Sequence, residues 1–408
     1  MKQYLLLLAL AGTTLTAAAQ TLRIEQGSVT TAFDALTLGE SNFAAGGTTL
    51  TLGGKTYDIS TIDRMTINNT PVAATTVGVV YNGATAQVEI SGDLAPYLTV
   101  SVDGANVNIV ADASLQEEVT YLLSGTSTSG SFTLDGEYKA TVAINGLHLT
   151  SNTVSLPPMN ILNGKRIKFL VSGSNSFADC AGGTHKGAFF VNGHPEFEGC
   201  GYINITGNSK HAFVSDEYTQ FKHSFTGTIN VLGAVGDAFH IDQYLLMQGG
   251  TFKMNNIGGD GFDISFTNDA TDEYNGEVFI EGGNIELNVV TPDTKGIKSA
   301  AQMTISGGTI SGNVSGNGTK GISVDGNLTI KGVANNPLID LKVTGTTYAA
   351  GTADESKCRG IKGKGNFTFD GGSIKISATG AKSKAISVDG DYIYKSGSLN
   401  CIVDAANT

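Results

Sequence analysis

The sequence predicts an all-β chain: a single-stranded, right-handed parallel β-helix, a solenoid with coils of about 24 residues, behind a small N-terminal β module. Three observations predict it. The first is a register. A "charged or polar, small, apolar" step recurs as KGAFF at Lys186, KHAFV at Lys210, DAFHI at Asp237, DGFDI at Asp260, KGIKS at Lys295, KGISV at Lys320, RGIKG at Arg359 and KAISV at Lys384. The intervals are 24, 27, 23, 35, 25, 39 and 25 residues, so most are one unit and two carry an insertion. A fixed period in this range marks a solenoid. The second is the content of each unit: short alternating bursts such as GIKS and MTIS, whose period of two means strands and whose length excludes helices. The third is punctuation. Glycine pairs recur at one turn, at Gly249-Gly250, Gly282-Gly283, Gly307-Gly308 and Gly371-Gly372, as expected of a backbone angle that a side chain would strain.

A coil of short strands cannot bury its apolar face alone. Stacked about 4.8 Å apart, the coils pair each other's backbones and share one core. The inward positions are then Ile297, Met303, Ile305 and Ile310 in one coil, and Ile322, Val324, Leu328 and Ile330 in the next.

Taken in order, residues 1–19 read as a secretory signal peptide: a Lys, an apolar run from Tyr4 to Gly12, and small residues at Ala17 and Ala19. The mature protein is therefore expected outside the cytoplasm, secreted or periplasmic or held at the cell surface. No later stretch is apolar enough to span a bilayer. Residues 20–75 form a Thr- and Gly-rich leader with a short hairpin about Gly53-Gly54. Residues 76–111 form a small β module that includes a hairpin about Asp103-Gly104 and suits an N-terminal cap, because an open β-helix end is an exposed sheet edge. Residues 112–408 form the solenoid. Two insertions, Phe266 to Glu277 and Val333 to Lys357, should become loops on one flank.

Composition agrees and excludes. Fifty-four glycines with seven prolines suit many tight turns. A net charge of −12 with no basic cluster argues against a nucleic-acid partner. Cys180, Cys200, Cys358 and Cys401 have no paired metal-ligand spacing; they read as small apolar fillers or, in an oxidising compartment, as disulfide partners.

The ordered series ATVAINGLHLTS, NGKRIKFLVSGSNSFAD, KGAFFVNG, EFEGCGYINITGN, DAFHID, DGFDIS and KGIKSAAQMTISGGTI resembles the bacterial carbohydrate-binding β-helix proteins, over roughly Leu115 to Thr408. That family is known from cellulolytic clostridia and gut Bacteroidetes; the phrase from Tyr57 to Ile67 likewise resembles a leader of exported Bacteroidetes proteins. The resemblance implies a pectate-lyase-like fold, binding of plant-type polysaccharides including pectic ones, bound calcium, and no demonstrated catalysis. Relatives write the repeat start as Asp-Asp-Gly-Ile. This chain keeps an Asp there only at Asp237 and Asp260, and writes Lys or Arg elsewhere.

The candidate site residues follow. Asp237 and Asp260 should sit at one level of adjacent coils with Asp242 and Asp263 nearby, and carboxylates that close repel unless a cation lies between them. Calcium suits such a set; the alternative is that each Asp caps a turn amide. Lys295, Lys320, Arg359 and Lys384, if stacked, form a line of cations. It can serve as an anion track for uronate carboxylates, as a set of donors to turn carbonyls, or as nothing more than side chains in water. Tyr218, Tyr244, Tyr274, Tyr348 and Tyr392 are candidates for stacking on sugars, with Tyr274 and Tyr348 on the insertions preferred. Without Trp the protein suits crystalline cellulose poorly. His185, His194, His211, His223 and His240 lack ligand spacing and read as structural or surface groups. A lyase would need a basic Lys298 or Arg359 beside a bound cation, and a hydrolase would need Asp237, Asp260 and Asp263 in one groove. The expected function is non-catalytic glycan binding, with a rigid structural or adhesive rod as the alternative and a polysaccharide lyase or hydrolase behind both.

Overall fold

The computed structural model describes residues 20–404 apart from Ala45 and Asn335; the expected signal peptide, 1–19, lies outside the described residues. Among these, the chain is all-β, with one 3-10 turn at Ile59–Thr61 and no helix long and apolar enough to cross a membrane. Two large sheets of 23 and 12 strands carry it. In the smaller sheet Gly187–Val191, His211–Ser215, Phe239–Asp242, Phe262–Ser265, Lys295–Ser299, Lys320–Val324, Arg359–Gly363 and Lys384–Val388 pair in succession, all parallel. The larger sheet contains two such series. One runs through Glu277–Ile280, Met303–Ile305, Leu328–Lys331 and Phe367–Ala378. The other runs through Asn284–Val289, Thr309–Val314 and Leu338–Val343. Each strand therefore pairs with the strand one sequence unit away.

The pairing corrects the register at one place. Phe213 pairs with Phe239, 26 residues on, and Gly187 pairs with His211. The residues level with Asp237 are therefore His211 and Gly187, and Lys210 and Lys186 both fall one position outside the column.

All eight inward positions named above are at most 1 % exposed. Each such side chain contributes about 1.5–3 kcal/mol, an upper figure because denatured chains already bury some surface. One core runs without a break from Val77 to Ala385, so residues 76–111 share it. The reason is pairing: Thr76–Asn82 runs parallel to Val119–Ser127, and Asn106–Ala111 runs parallel to Ser131–Asp135. The two expected hairpins are present, Thr49–Leu52 with Lys55–Asp58 and Leu98–Asp103 with Asn106–Ala111. The leader does more than form a hairpin. Thr21–Gln26 pairs with both Val29–Asp34 and Arg64–Asn68, Val29–Asp34 runs parallel to Thr85–Ser91, and Leu22, Ile24, Phe33, Leu50, Leu52 and Tyr57 close a second, smaller core with Ala95.

The repeated turn has the strain its glycines imply. Gly283 and Gly308 adopt φ of 83° and 80°, and a Cβ on Gly308 would lie 2.5 Å from the Gly283 carbonyl oxygen of the coil before. The four cysteines are free thiols, Cys358 buried, Cys180 half-buried, Cys200 and Cys401 exposed.

Candidate functional site

The smaller sheet positions the titratable groups. Along its repeat-start column stand His211, Asp237, Asp260, Lys295, Lys320, Arg359 and Lys384, the last four paired directly in register. Three residues on, a second column carries His240, Asp263, Lys298, Ser323, Lys362 and Ser387.

In the first three members of the repeat-start column, each side chain caps the backbone of the next coil. The Asp237 amide donates to His211 Nδ1 at 2.9 Å, the Asp260 amide to Asp237 Oδ1 at 2.7 Å, and the Lys295 amide to Asp260 Oδ1 at 2.8 Å. From Lys320 onward the amides go instead to backbone carbonyls of Thr294, Thr319 and Cys358. The side chains then reverse their role and donate. Lys295 Nζ donates to the Asp293 carbonyl at 2.9 Å, and Lys320 Nζ to the Gly318 carbonyl at 2.8 Å and Asp293 Oδ1 at 3.2 Å. The Arg359 guanidinium donates to the Cys358 and Lys382 carbonyls. Burial pushes both Lys320 and Arg359 below their ordinary values. Of the four predicted cations only Lys384 is exposed, Lys295 is half-buried, and Arg359 is 8 % exposed. The line of cations is real, but it is turned onto the turns of its own coils.

The acidic residues sort in the same way. Asp237, Asp260 and Asp263 converge, with one oxygen of each within 4.8 Å of the others, and His211, Asp237 and His240 form an overlapping set. Asp242 stands apart, 4.0 Å from His240 Nε2. The partners of the three carboxylates decide the chemistry. His240 Nδ1 lies 3.0 Å from Asp237 Oδ2 and 3.5 Å from Asp263 Oδ2, and Lys298 Nζ lies 2.7 Å from Asp263 Oδ1. The rings of His211 and His240 stack at 4.6 Å. His211 Nδ1 also lies 3.1 Å from Asp237 Oδ2. One nitrogen cannot both accept the amide proton and donate to the carboxylate, and the amide is the fixed donor. His211 is therefore assigned as the neutral Nε2–H tautomer, and Asp237 draws its side-chain proton contact from His240.

Hydrogen bonds to Asp237 and Asp263 push the His240 imidazole up to about 9. Burial opposes ionisation of Asp237, but the bonds from His240 and the Asp260 amide outweigh it and hold the carboxyl well below the usual range. Asp263 is likewise opposed by burial and held low by His240 and Lys298. For Asp260, burial outweighs the opposing pull of the Lys295 ammonium and raises the carboxyl to about 6. A divergent pair of carboxyls is the pattern of acid–base chemistry. Here all three are about nine-tenths buried and their oxygens hold the fold together.

The spacing of the three carboxylates suits a cation, and their occupants do not. Calcium takes six to eight oxygens. The oxygens here already face an imidazolium, an ammonium and two backbone amides. The residues present do not fit a calcium shell, since His240 and Lys298 supply the positive charge in its place.

The predicted tyrosines divide. His194, Tyr218 and Tyr244 form a stacked row, with centroids 4.5 and 4.8 Å apart, so their faces are spent on one another. Tyr274 meets Tyr244 and Phe279 edge-on, at 5.6 and 5.3 Å. It is 52 % exposed and sits at a φ of +56°, a costly angle for a bulky residue. Tyr348, on the second insertion, is 40 % exposed and anchored by paired backbone bonds with Ser356. Tyr392, also exposed, stacks no partner in parallel.

Sequence reasoning missed His211, His240 and Lys298 as partners of the acids. The signal was present in the spacing: His240 follows Asp237 by three, and Asp263 follows Asp260 by three, which puts each pair on adjacent columns.

Comparison places these features. A solved structure, the polysaccharide lyase-like protein from C. thermocellum in its gadolinium derivative, is similar with a TM-score of 0.51 and 19% identity, over 65% of this chain and 99% of that one. At that identity the likeness concerns the fold, so the protein is of the polysaccharide lyase-like fold class. A family model described as carbohydrate-binding domain-containing protein matches residues 103–403, and the chain belongs to that family. Among curated proteins, none matches it.

Proposed function

We propose that this protein is an exported, non-catalytic glycan-binding protein whose stacked strands wind as a single-stranded right-handed parallel β-helix. The observation that carries the binding function is family membership over residues 103–403. The bonding of the acids, His240 and Lys298 to one another and to backbone amides supports binding over cleavage, because these groups are occupied in holding strands together. We place one sugar contact on Tyr274, whose exposed ring stands proud of the stacked row, and a second on Tyr348. Plant-type polysaccharide is the proposed ligand class. An acidic glycan would find Lys384 open and Lys295 half open, while Lys320 and Arg359 are already bonded.

The test is a panel of soluble polysaccharides in affinity gel electrophoresis, with polygalacturonate, galactan and a mixed-linkage glucan in separate gels. Retardation in at least one gel is expected, with no release of reducing ends on prolonged incubation. Free migration in every gel would leave the rigid-rod alternative.

A further inference from the structure

The third series of strands carries a shallow open groove of about 310 Å³ over Thr251–Met254, Asn284–Val289 and Thr309–Val314. Its polar walls are Lys253, Asn255, Glu286, Asn288, Ser311 and Asn313. They form two parallel rows along the stacking direction. Lys253, Glu286 and Ser311 are in register in one row, and Asn288 and Asn313 in the other. Lys253 Nζ lies 3.0 Å from Glu286 Oε1 with both side chains about half exposed, so the rows carry no net charge. The Asn255 side-chain amide donates to Asn230 Oδ1. Leu287 and Gly312 lie between the rows, paired in register and alternating with the outward side chains; at φ +142° a Cβ on Gly312 would lie 1.9 Å from the Leu287 carbonyl oxygen, so that position keeps its glycine.

From this we infer that the groove is a subsite for a neutral polysaccharide lying along the stacking axis, its hydroxyls taken by Asn288 and Asn313 in one row and by Lys253, Glu286 and Ser311 in the other. The volume falls at the lower end of small-ligand sites. Amides offer a donor and an acceptor together, and a Lys–Glu pair offers the same at the ends of an ion pair, which matches the paired donor and acceptor character of adjacent hydroxyls. Rungs about 4.8 Å apart advance by a distance comparable with one sugar unit. A uronate chain would set its carboxylates against Glu286 without a surplus cation. The groove thus favours neutral sugars where the basic column would have favoured acidic ones. The inference rests on the glycan-binding proposal and adds to it a further subsite with its own ligand class.

The decisive comparison uses the full-length mature protein and the double variant Asn288→Ala/Asn313→Ala in gels containing galactan, mixed-linkage glucan or polygalacturonate. Both substituted side chains are exposed, so the melting temperature should match wild type, and a matching melt certifies the comparison. If the variant does not melt like wild type, Glu286→Gln with Lys253→Met takes its place. Affinity for a neutral polysaccharide should fall about tenfold or more in the variant. Equal affinity of variant and wild type for the neutral polymers overturns the groove and leaves the binding proposal standing. So does wild-type binding confined to polygalacturonate. Failure of wild type in all three gels removes the binding proposal itself.

Discussion

The coils from Gly187 to Ser265 and those from Lys295 to Val388 share one backbone plan and solve it with opposite chemistry. In the first group the core is aromatic: Phe197 stacks on Phe169 and Phe221 at 5.0 Å each, and Phe239 on Phe262 at 4.3 Å. In the second it is Ile, Val, Leu and Met until Phe367. The column differs in the same sense. His211, Asp237 and Asp260 accept hydrogen bonds from the next coil's amides, whereas Lys295, Lys320 and Arg359 donate to carbonyls near their own turns. A turn in a stacked coil leaves both amides and carbonyls in need of partners, and a side chain at that level can serve either set. The acidic version needs a compensating charge and finds it in His240 and Lys298. The basic version uses carbonyl dipoles and Asp293.

The largest expected effects come from breaking the first group. Phe221→Ala removes a fully buried ring that contacts Phe197, Phe239 and Phe252 and should cost about 3–5 kcal/mol in denaturant unfolding. Asp237→Ala strips His240 of its closest partner and uncaps the Asp260 amide, for a similar cost of about 3–5 kcal/mol. Lys320→Met, the matching change in the second group, loses charged bonds to turn carbonyls and should cost less, about 1–3 kcal/mol by the same measurement. Equal losses at Asp237 and Lys320 would erase the contrast between the groups.

pH sharpens the comparison further. The folded His240 lies at about 9 against an ordinary 6.5. A raised folded value means its stabilisation is fully present below 6.5 and is lost as pH rises toward 9. Asp260, raised to about 6 from 3.8 by burial, disfavours the fold increasingly as pH rises through that lower window. Melting temperature should therefore decline between pH 6.5 and 9, and His240→Gln should flatten that decline; an unchanged slope in the variant would remove His240 from the account. Chelation should leave the melting curve at pH 7 unmoved, because the carboxylates hold internal cations. A drop on adding chelator, reversed by calcium, would overturn that assignment. The smallest effect belongs to Tyr274→Ala. Stability should change by no more than about 0.5 kcal/mol, while retardation by whichever polysaccharide binds should weaken.

The sequence alone determined the strand character of the bursts, the inward residues and the glycine turns. These follow from local periodicity, which each unit restates, so one misjudged copy does little damage. Of the candidate site it showed which residues share a level, since stacking turns a sequence interval into a lateral distance. It misjudged that level at Lys186 and Lys210, because a one-residue change in coil length moves the column to Gly187 and His211 without altering the local pattern. Only the tertiary structure decided what the column does. Whether Lys320 reaches a glycan or Asp293, and whether Asp263 waits for calcium or holds Lys298, depends on charges brought from 27 and 35 residues away in sequence by stacking. Side-chain partnership across coils has no period of its own, and so it leaves no repeat to read.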